Sequence, residues 1–600
     1  MRLVTPIHKT VSGTISQTSW GISRTTLETL ALFSILILGA ILRYWHITVG
    51  LPGLYEHDEI FEVHRALELL RGEYNFSRTK GMYFYFLSLL SGAYGALLVL
   101  QGHFSDFKSF ISYSLVHPSD IILLSRLLCA ALGTLSIFLI YRLGKQVFSV
   151  DSAGPLLVAL AWATCGLATW VSKWGSIETT VIVFGILAFF PILHLFENRT
   201  RIIYILAGVL IACTTATKVY GALLIVPLVF AHIISHKRNT LRSVWSMKFH
   251  GKLVLAFVVC GISLLILNPA LFVQWWEMGD GSTIIPKLSV DTKEVYPILF
   301  YFRVLRWNIG NIGIVFLLIG VVTAIMKFDK KICTCSIFAV SFFLALGLKK
   351  EAVFIFDRYI LLSLPLFFVV AVYGFEMTRC RVQRMFAENR VKRMVMGTLA
   401  ICTIFWITWN GVTPILANPI MDRNFVPVQQ KALEWFEKNV PGGAIVVIRG
   451  ETRPWPGNQN LPIFNLKENY LHQHVKKIQD GETAAESGYL LDLARADDLV
   501  RYNLVNETRY VMWKHPDEYI GENGAEYFVV DVEHFSKKFT SRRSVSATES
   551  RRKFYQSLRN SSGVALIKSF RGYNVTGIPR TLEIYRVVES TASLAPRLHD

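Results

Sequence analysis

Predominantly apolar runs, most of them close to 20 residues, recur at 27–47, 121–141, 153–172, 179–196, 202–217, 219–235, 253–268, 309–326, 332–348, 359–375 and 395–416. A helix rises ~1.5 Å per residue, so about 20 residues match the ~30 Å hydrocarbon core of a bilayer. Inside that solvent each backbone N–H and C=O must be satisfied within its own segment, which leaves helix as the structure of every run. Eleven such runs in 600 residues that are 52% hydrophobic, with 40 Phe and 14 Trp, describe a polytopic α-helical membrane protein. The first run is too long and too rich in Leu and Ile for a cleaved signal, and no small-residue cleavage site follows it, so it reads as a retained span.

The net charge of +19 is spread in short Lys and Arg blocks between apolar runs. That pattern points to membrane topology and away from nucleic acid. All eight Cys lie in or beside apolar runs and none follows Cys402, so the C-terminal part folds without disulfides, and no CxxC metal or redox motif occurs.

A twelfth apolar segment, 81–101, is rich in aromatics, Gly and Ser and is bounded by polar loops. If it does not cross and the N-terminus is inside, the inner segments carry 21 Lys and Arg in 83 residues against 14 in 130 for the outer ones. A full crossing would put the basic stretch "TRCRVQRMFAENRVKR" outside, so the positive-inside rule favours a re-entrant or juxtamembrane helix. The expected layout is a cytoplasmic N-terminus 1–26, a transmembrane domain 27–419 whose first outer loop is 48–120, and an extracytoplasmic domain 420–600. In that last part "PVQQKALEWFEKNVPGGAIVVI" predicts a helix, a stop and a strand. "RYVMW", "YFVVDV", "VALIKSF" and "TLEIYRV" predict further strands, with "ESRRKFYQSLRN" a helix between two of them, giving an α/β domain.

Ionisable residues at membrane depth are expensive and commonly functional. In this layout they gather at the outer ends of different spans: Asp58, Glu59 and Lys80 in the first outer loop, Glu178 in "SKWGSIETT", Lys218 in "TATKVYG" and Arg358 in "FIFDRYILLSLP". Each also has a plain structural reading. Residues 58–71 make an amphipathic helix with Ile60, Val63, Leu67 and Leu70 on one face, Asp58 as its cap and Gly72 as its stop. Acids in a first turn suit the helix dipole, which covers Glu59 and Glu178. Lys218 and Arg358 could snorkel to lipid phosphates, Lys80 could be a loop charge, and His57, a further substrate-binding candidate, could be a bystander beside the acids. Glu56 and Glu62 read as solvated helix-end charges. Taken together, a carboxylate at a membrane surface can deprotonate an acceptor hydroxyl or amine. Nearby Lys and Arg can hold a departing phosphate. This chemistry fits sugar transfer from a lipid phosphate whose tail stays in the bilayer.

The ordered pieces "HDEIFEVHRALELLRGEY", "TKGMYFYFLSLLSGAYG", "LSRLLCAALGTLSIFLIYRLGKQVF", "SKWGSIETT", "LAGVLIACTTATKVYGALLIVPLVFA", "LLILNPALF" and "DRYILLSLPLFFVVAVYG" resemble the polyprenyl-phosphate-dependent glycosyltransferases of the GT-C class. Within it they are similar to the dolichyl-phosphate-mannose protein mannosyltransferase superfamily, to which the aminoarabinose transferases of lipid A belong. The resemblance covers roughly residues 27–376. It implies a GT-C fold, Asp58 as catalytic base and Glu59 as its orienting partner or part of the acceptor site. It further implies Lys80, Lys218 and Arg358 facing the donor phosphate. Two departures stand out. Glu178, which the resemblance implies in acceptor or metal contact, occupies a position where the family usually carries Asp, and Phe61 stands where the lipid A branch has an Arg, which argues against an aminoarabinose transferase.

The expected function is therefore a membrane glycosyltransferase that moves a sugar from a polyprenyl-phosphate donor to a glycan, lipid or protein acceptor, with no nucleic-acid partner. The alternatives are a transporter or flippase for a lipid-linked sugar and a catalytically silent assembly subunit. Transporters concentrate polar residues at the bilayer midplane and often show inverted repeats, and no repeat is visible here. No cofactor is required beyond the lipid-phosphate donor, and a divalent cation stays open. Lean inner loops favour a bacterial plasma membrane.

Overall fold

The computed structural model of the chain describes residues 23–51, 59–72, 81–235, 247–269, 297–348, 356–385, 411–413, 415–418, 426–450, 503–508, 515–532, 545–573 and 579–588. The run at 395–416 lies mostly outside them, and the other ten runs fall on described helices. In chain order these are α1 (Arg24–Tyr44), α2 (Glu59–Leu70), α3 (Gly81–Leu100), α4 (Phe107–Val116), α5 (Ser119–Val147), α6 (Gly154–Ala163), α7 (Gly166–Lys173), α8 (Glu178–His194) and α9 (Arg201–Thr217). A 3-10 turn (Val219–Leu224) leads into α10 (Ile225–Ser235), followed by α11 (Met247–Leu267), α12 (Ile298–Lys327) and α13 (Lys330–Gly347). A second 3-10 turn (Asp357–Leu362) opens α14 (Leu364–Met385).

Six of these helices are long and apolar enough to cross a membrane, and α6 with α7 adds a seventh if a pair bent by 52° counts as one span. The protein is a multi-pass membrane protein. α3 is among the six by length and composition. Its polar partners on α5 nevertheless sit near one end of that helix: Tyr83 Oη lies 2.6 Å from Ser125 Oγ, and Tyr94 Oη donates to Asp120 at 3.3 Å. α12 starts well before residue 309, because "LFYFRVLRWN" is itself helical, and Gly310 takes the kink with φ 70° and ψ 168°. That backbone is open to Gly and strained for any other residue.

The break between α6 and α7 frees carbonyls that hydrocarbon cannot satisfy. Arg43, fully buried in α1, fills the gap: Nη1 donates to Gly39 O and Ala163 O, each at 3.0 Å, and Nη2 to Trp162 O at 3.3 Å. A neighbouring element thus restores the backbone hydrogen bonding that the break removes.

Polar contacts separate the bundle into two ends. At one, Glu28 accepts from Tyr141 at 2.8 Å and Lys145 at 2.9 Å, Lys331 donates to Glu197 at 2.6 Å and Gln146 O at 2.8 Å, and Lys252 donates to Arg199 O at 2.6 Å. These are segments that the charge count groups on one side. The other end holds the acids and cations described below.

α2 departs from the expected half-exposed helix. Glu62 is buried, as are His64 and Arg65, alongside Val63, Ala66 and Leu67. α3, α4 and α5 all pack on this helix, so an amphipathic stripe is not its only covered face. His64 Nε2 bonds Leu115 O at 3.2 Å, and Ser88 Oγ donates to Ala66 O at 2.8 Å.

Toward the C-terminus, a five-stranded sheet has the order β2-β1-β3-β5-β4. Strands β1 (Ile445–Gly450), β2 (Asn503–Thr508) and β3 (Tyr527–Asp531) are parallel, and β5 (Pro579–Val587) runs antiparallel to β3 and to β4 (Val564–Tyr573). Side chains alternate across the strands. Val446, Tyr527, Val529, Leu582 and Ile584 pack with Val428, Ala432 and Phe436 of α15 (Val428–Asn439). Val447, Phe528, Val530 and Tyr585 pack with Tyr519 of α16 (Pro516–Asn523) and with Phe554 and Leu558 of α17 (Val545–Asn560). Period-two burial on both faces is the mark of a sheet covered by helices on both sides. The stretch "RYVMW" lies mostly outside the described residues, and the described strand there is Asn503–Thr508. Inside the second layer Glu583 accepts from Tyr555 at 2.9 Å and Tyr585 at 2.5 Å, and burial together with this carboxylate pushes the Tyr555 phenol up to about 12.

Candidate active site

The turn at 174–177, between α7 and α8, joins two of the acids that the sequence singles out. Gly175 N–H donates to Glu59 Oε1 at 2.9 Å, and Ser176 Oγ donates to Glu178 Oε2. The turn sits tightly on α5: Ser176 N–H reaches Cys129 Sγ at 3.3 Å, and a Cβ at Gly175 would run into Ser125 Oγ. Thr179 Oγ1 donates to Ser176 O at 2.9 Å. Only a residue without a side chain allows that approach.

Glu59, the first residue of α2, is fully buried. Arg126 of α5 grips it with both prongs, Nε to Oε1 at 2.6 Å and Nη2 to Oε2 at 2.7 Å. The same guanidinium donates from Nη1 to Ile47 O and Val49 O, each at 2.8 Å, and lies over Trp174 with its carbon 4.7 Å from the ring centroid. One planar cation therefore ties the chain after α1, the start of α2 and the 174–177 turn to a single point on α5. A carboxylate held in this way anchors the backbone at the start of α2.

Glu178 begins α8 with 2% of its side chain exposed. Lys218 forms an ion pair with its Oε1, and Arg358 Nε lies 3.4 Å from the same oxygen. Both cations come from interruptions in helices. Lys218 is the extended residue between α9 and the first 3-10 turn, with φ −148° and ψ 131°, and Arg358 lies in the second 3-10 turn. The Lys218 ammonium sits 5.1 Å from the Tyr359 ring centroid and 5.7 Å from that of Tyr220, and the Arg358 guanidinium sits 4.8 Å from that of Phe356. Asp357 accepts from the Arg358 backbone N–H at 2.8 Å.

The structure thus brings Glu178, Lys218 and Arg358 into one cluster and links it through the 174–177 turn to Glu59. Asp58, His57 and Lys80 lie outside the described residues. Among the described residues no group of three or more His, Cys, Asp and Glu is gathered as a metal would need. Sequence reasoning missed Arg126, Trp174, Ser176 and the rings of Tyr220 and Tyr359. Arg126 carried a legible signal as a lone cation inside an apolar run, which calls for an anionic partner.

The arrangement can hold an anion against Lys218 and Arg358 at the end of the bundle where α2 begins. The sequence profile of the dolichyl-phosphate-mannose-protein mannosyltransferase family matches residues 119–264, a stretch that includes Arg126, Glu178 and Lys218. This is the family that the outer-loop and span motifs resemble. No curated relative matches. Among solved structures, the chain is similar to the archaeal oligosaccharyltransferase AglB of Archaeoglobus fulgidus in complex with an inhibitory peptide and a dolichol-phosphate, at 11% identity and TM-score 0.48, over 85% of this chain and 70% of that one. It is also similar to ArnT of Cupriavidus metallidurans bound to undecaprenyl phosphate, at 10% identity and TM-score 0.49, over 94% and 98%. A third is the arabinofuranosyltransferase AftD from Mycobacteria, at 14% identity and TM-score 0.43, over 95% and 40%.

Proposed function

We propose that this protein is a membrane glycosyltransferase that moves a sugar from a polyprenyl-phosphate donor to an acceptor hydroxyl or amine on the extracytoplasmic face. The proposed topology has eleven spans, α3 as a juxtamembrane helix, the N-terminus in the cytoplasm of a bacterial cell, and the α/β domain outside. The observation that carries the reading is the convergence of Lys218 and Arg358, from two separate helix interruptions, at the end of the bundle where Glu59 is fixed.

Asp58 immediately precedes Glu59, whose carboxylate is clamped by Arg126. In the proposed reaction Asp58 takes the acceptor proton as the acceptor oxygen or nitrogen bonds to the anomeric carbon from the face opposite the phosphate. The bond from that carbon to the phosphate oxygen breaks, its electron pair leaves with the lipid phosphate, and the configuration inverts. Lys218 and Arg358 stabilise the departing charge, joined by Lys80. Glu59 and Arg126 keep the start of α2 in place, which preserves the attack geometry.

The test is transfer from a labelled polyprenyl-phosphate sugar to acceptor or to water, comparing the purified wild type with Asp58→Asn. Transfer reduced by about a hundredfold or more is expected of a lost general base. Equal transfer by the two proteins would remove Asp58 from the mechanism.

A further inference from the structure

The reaction just proposed changes the charge on the lipid. A sugar phosphodiester carries one negative charge, whereas the lipid monophosphate left behind carries about −1.5 to −2 at neutral pH. Two unopposed cations would therefore hold the product more firmly than the donor, and turnover would stall on release.

The cluster contains the remedy. Glu178 is the buried member, with 2% of its side chain exposed, while Lys218 and Arg358 keep 14% and 15%. The cations are thus the outward-facing part of the cluster, with the carboxylate behind them. Ser176 Oγ holds the other carboxylate oxygen, so both oxygens of the anion are engaged within the protein. Asp357 adds a second negative charge beside Arg358 but spends an oxygen on the Arg358 backbone N–H.

We infer that Glu178 is a resident counter-anion that weakens the grip of Lys218 and Arg358 on the departing lipid phosphate and so sets product release. It is a positioning residue that touches neither sugar nor acceptor. The inference rests on the glycosyl-transfer reading and gives Glu178 a role distinct from acceptor or metal contact. The carboxylate also keeps two cations tolerable in the empty site, since removing the anion from a buried pair leaves its partners uncompensated.

The experiment measures binding of two probes, undecaprenyl phosphate and its methyl diester, to the full chain in lipid nanodiscs. In the wild type the monoester is expected to bind less than about tenfold tighter than the diester, because Glu178 opposes its second charge. Glu178→Gln is expected to tighten monoester binding by about tenfold to a hundredfold with a smaller change for the diester, and Glu178→Asp to stay near wild type. In turnover, kcat and KM of Glu178→Gln should fall together as release becomes limiting. A folded Glu178→Gln protein with unchanged or weaker monoester binding overturns the inference and leaves the glycosyl-transfer reading standing. If Glu178→Gln does not fold, the wild type decides alone: a monoester preference above about a hundredfold overturns the counter-anion role. Failure of both lipids to bind the wild type overturns the glycosyl-transfer reading, and the inference with it.

Discussion

Replacing Arg126 by Met removes the cation that holds Glu59, Ile47 O, Val49 O and the Trp174 face. Met matches the stem of Arg but leaves a fully buried carboxylate with the Gly175 N–H as a described donor. Breaking one side of a buried pair costs about 3–5 kcal/mol, because a charge is left without compensation. The two carbonyls that lose a donor add a cost of about 1–3 kcal/mol each where water cannot replace it. Arg126→Met should therefore destabilise the protein by at least about 3 kcal/mol. Glu59→Leu alone strands the guanidinium and should cost a similar amount.

The double variant Glu59→Leu/Arg126→Met buries no charge, so its loss should be smaller than the sum of the two single losses by about 2 kcal/mol or more. Denaturant titration in mixed micelles measures the three losses, and sugar transfer is followed on the same samples. Stability should return only in part in the double variant, because Ile47 O, Val49 O and Gly175 N–H still lack their partners, and transfer should not return, since the start of α2 next to Asp58 is no longer pinned. Strictly additive losses would show that the two side chains are not energetically coupled. Full transfer by a stable double variant would refute the claim that the pair positions the site.

The other predictions test particular contacts. Arg43→Met should lower the thermal midpoint, because the carbonyls of Trp162 and Ala163 lose their charged donor and keep only Cys165 N–H at 3.3 Å and Thr169 Oγ1 at 3.5 Å, at about 1 kcal/mol each; lipid-phosphate affinity should be unchanged. Gly175→Ala should impair both stability and transfer by pushing the 174–177 turn off Ser125, and adding Ser125→Ala should restore part of each. In the α/β domain Tyr555 binds its proton more tightly folded than unfolded, so the folded state carries more protons once the pH exceeds ~10, the ordinary phenol value. Stability should then be intact below that pH and fall as it rises toward the folded value of about 12, and Tyr555→Phe should flatten the decline in a pH series of thermal midpoints.

Much of the bundle was legible because hydrocarbon imposes a single local answer on each apolar run. The α6–α7 break was not, since "AWATCGLATW" contains no proline and its bend is stabilised from outside by Arg43, more than 100 residues earlier in the chain. The burial of Glu62 was hidden for a similar reason. Periodicity reports one apolar face of α2, whereas α3, α4 and α5 together cover more than one. Glu178, Lys218 and Arg358 could be picked from the sequence as charges interrupting apolar segments, but their convergence depends on tertiary packing. Glu59 could be picked too, but its pairing with Arg126 of α5, which fixes the start of α2, depends on the same packing.

The two ends of the bundle use charge in opposite ways, and energetics separates them. At one end Arg24 pairs with Asp151 at 52% and 83% side-chain exposure, and Lys331 with Glu197 at 26% and 55%. Such pairs contribute about 0–1 kcal/mol each and give way readily to salt. At the other end Arg126 and Glu59 keep 0% and 1% exposure, and Glu178 keeps 2%. Desolvating those ions costs several kcal/mol apiece, and apolar residues of similar volume often serve stability as well or better. Stability alone therefore does not account for buried ions gathered where helices α9 and α14 are interrupted. The proposed lipid phosphate, bound before transfer and released after it, would account for them, because neither step works against an apolar wall.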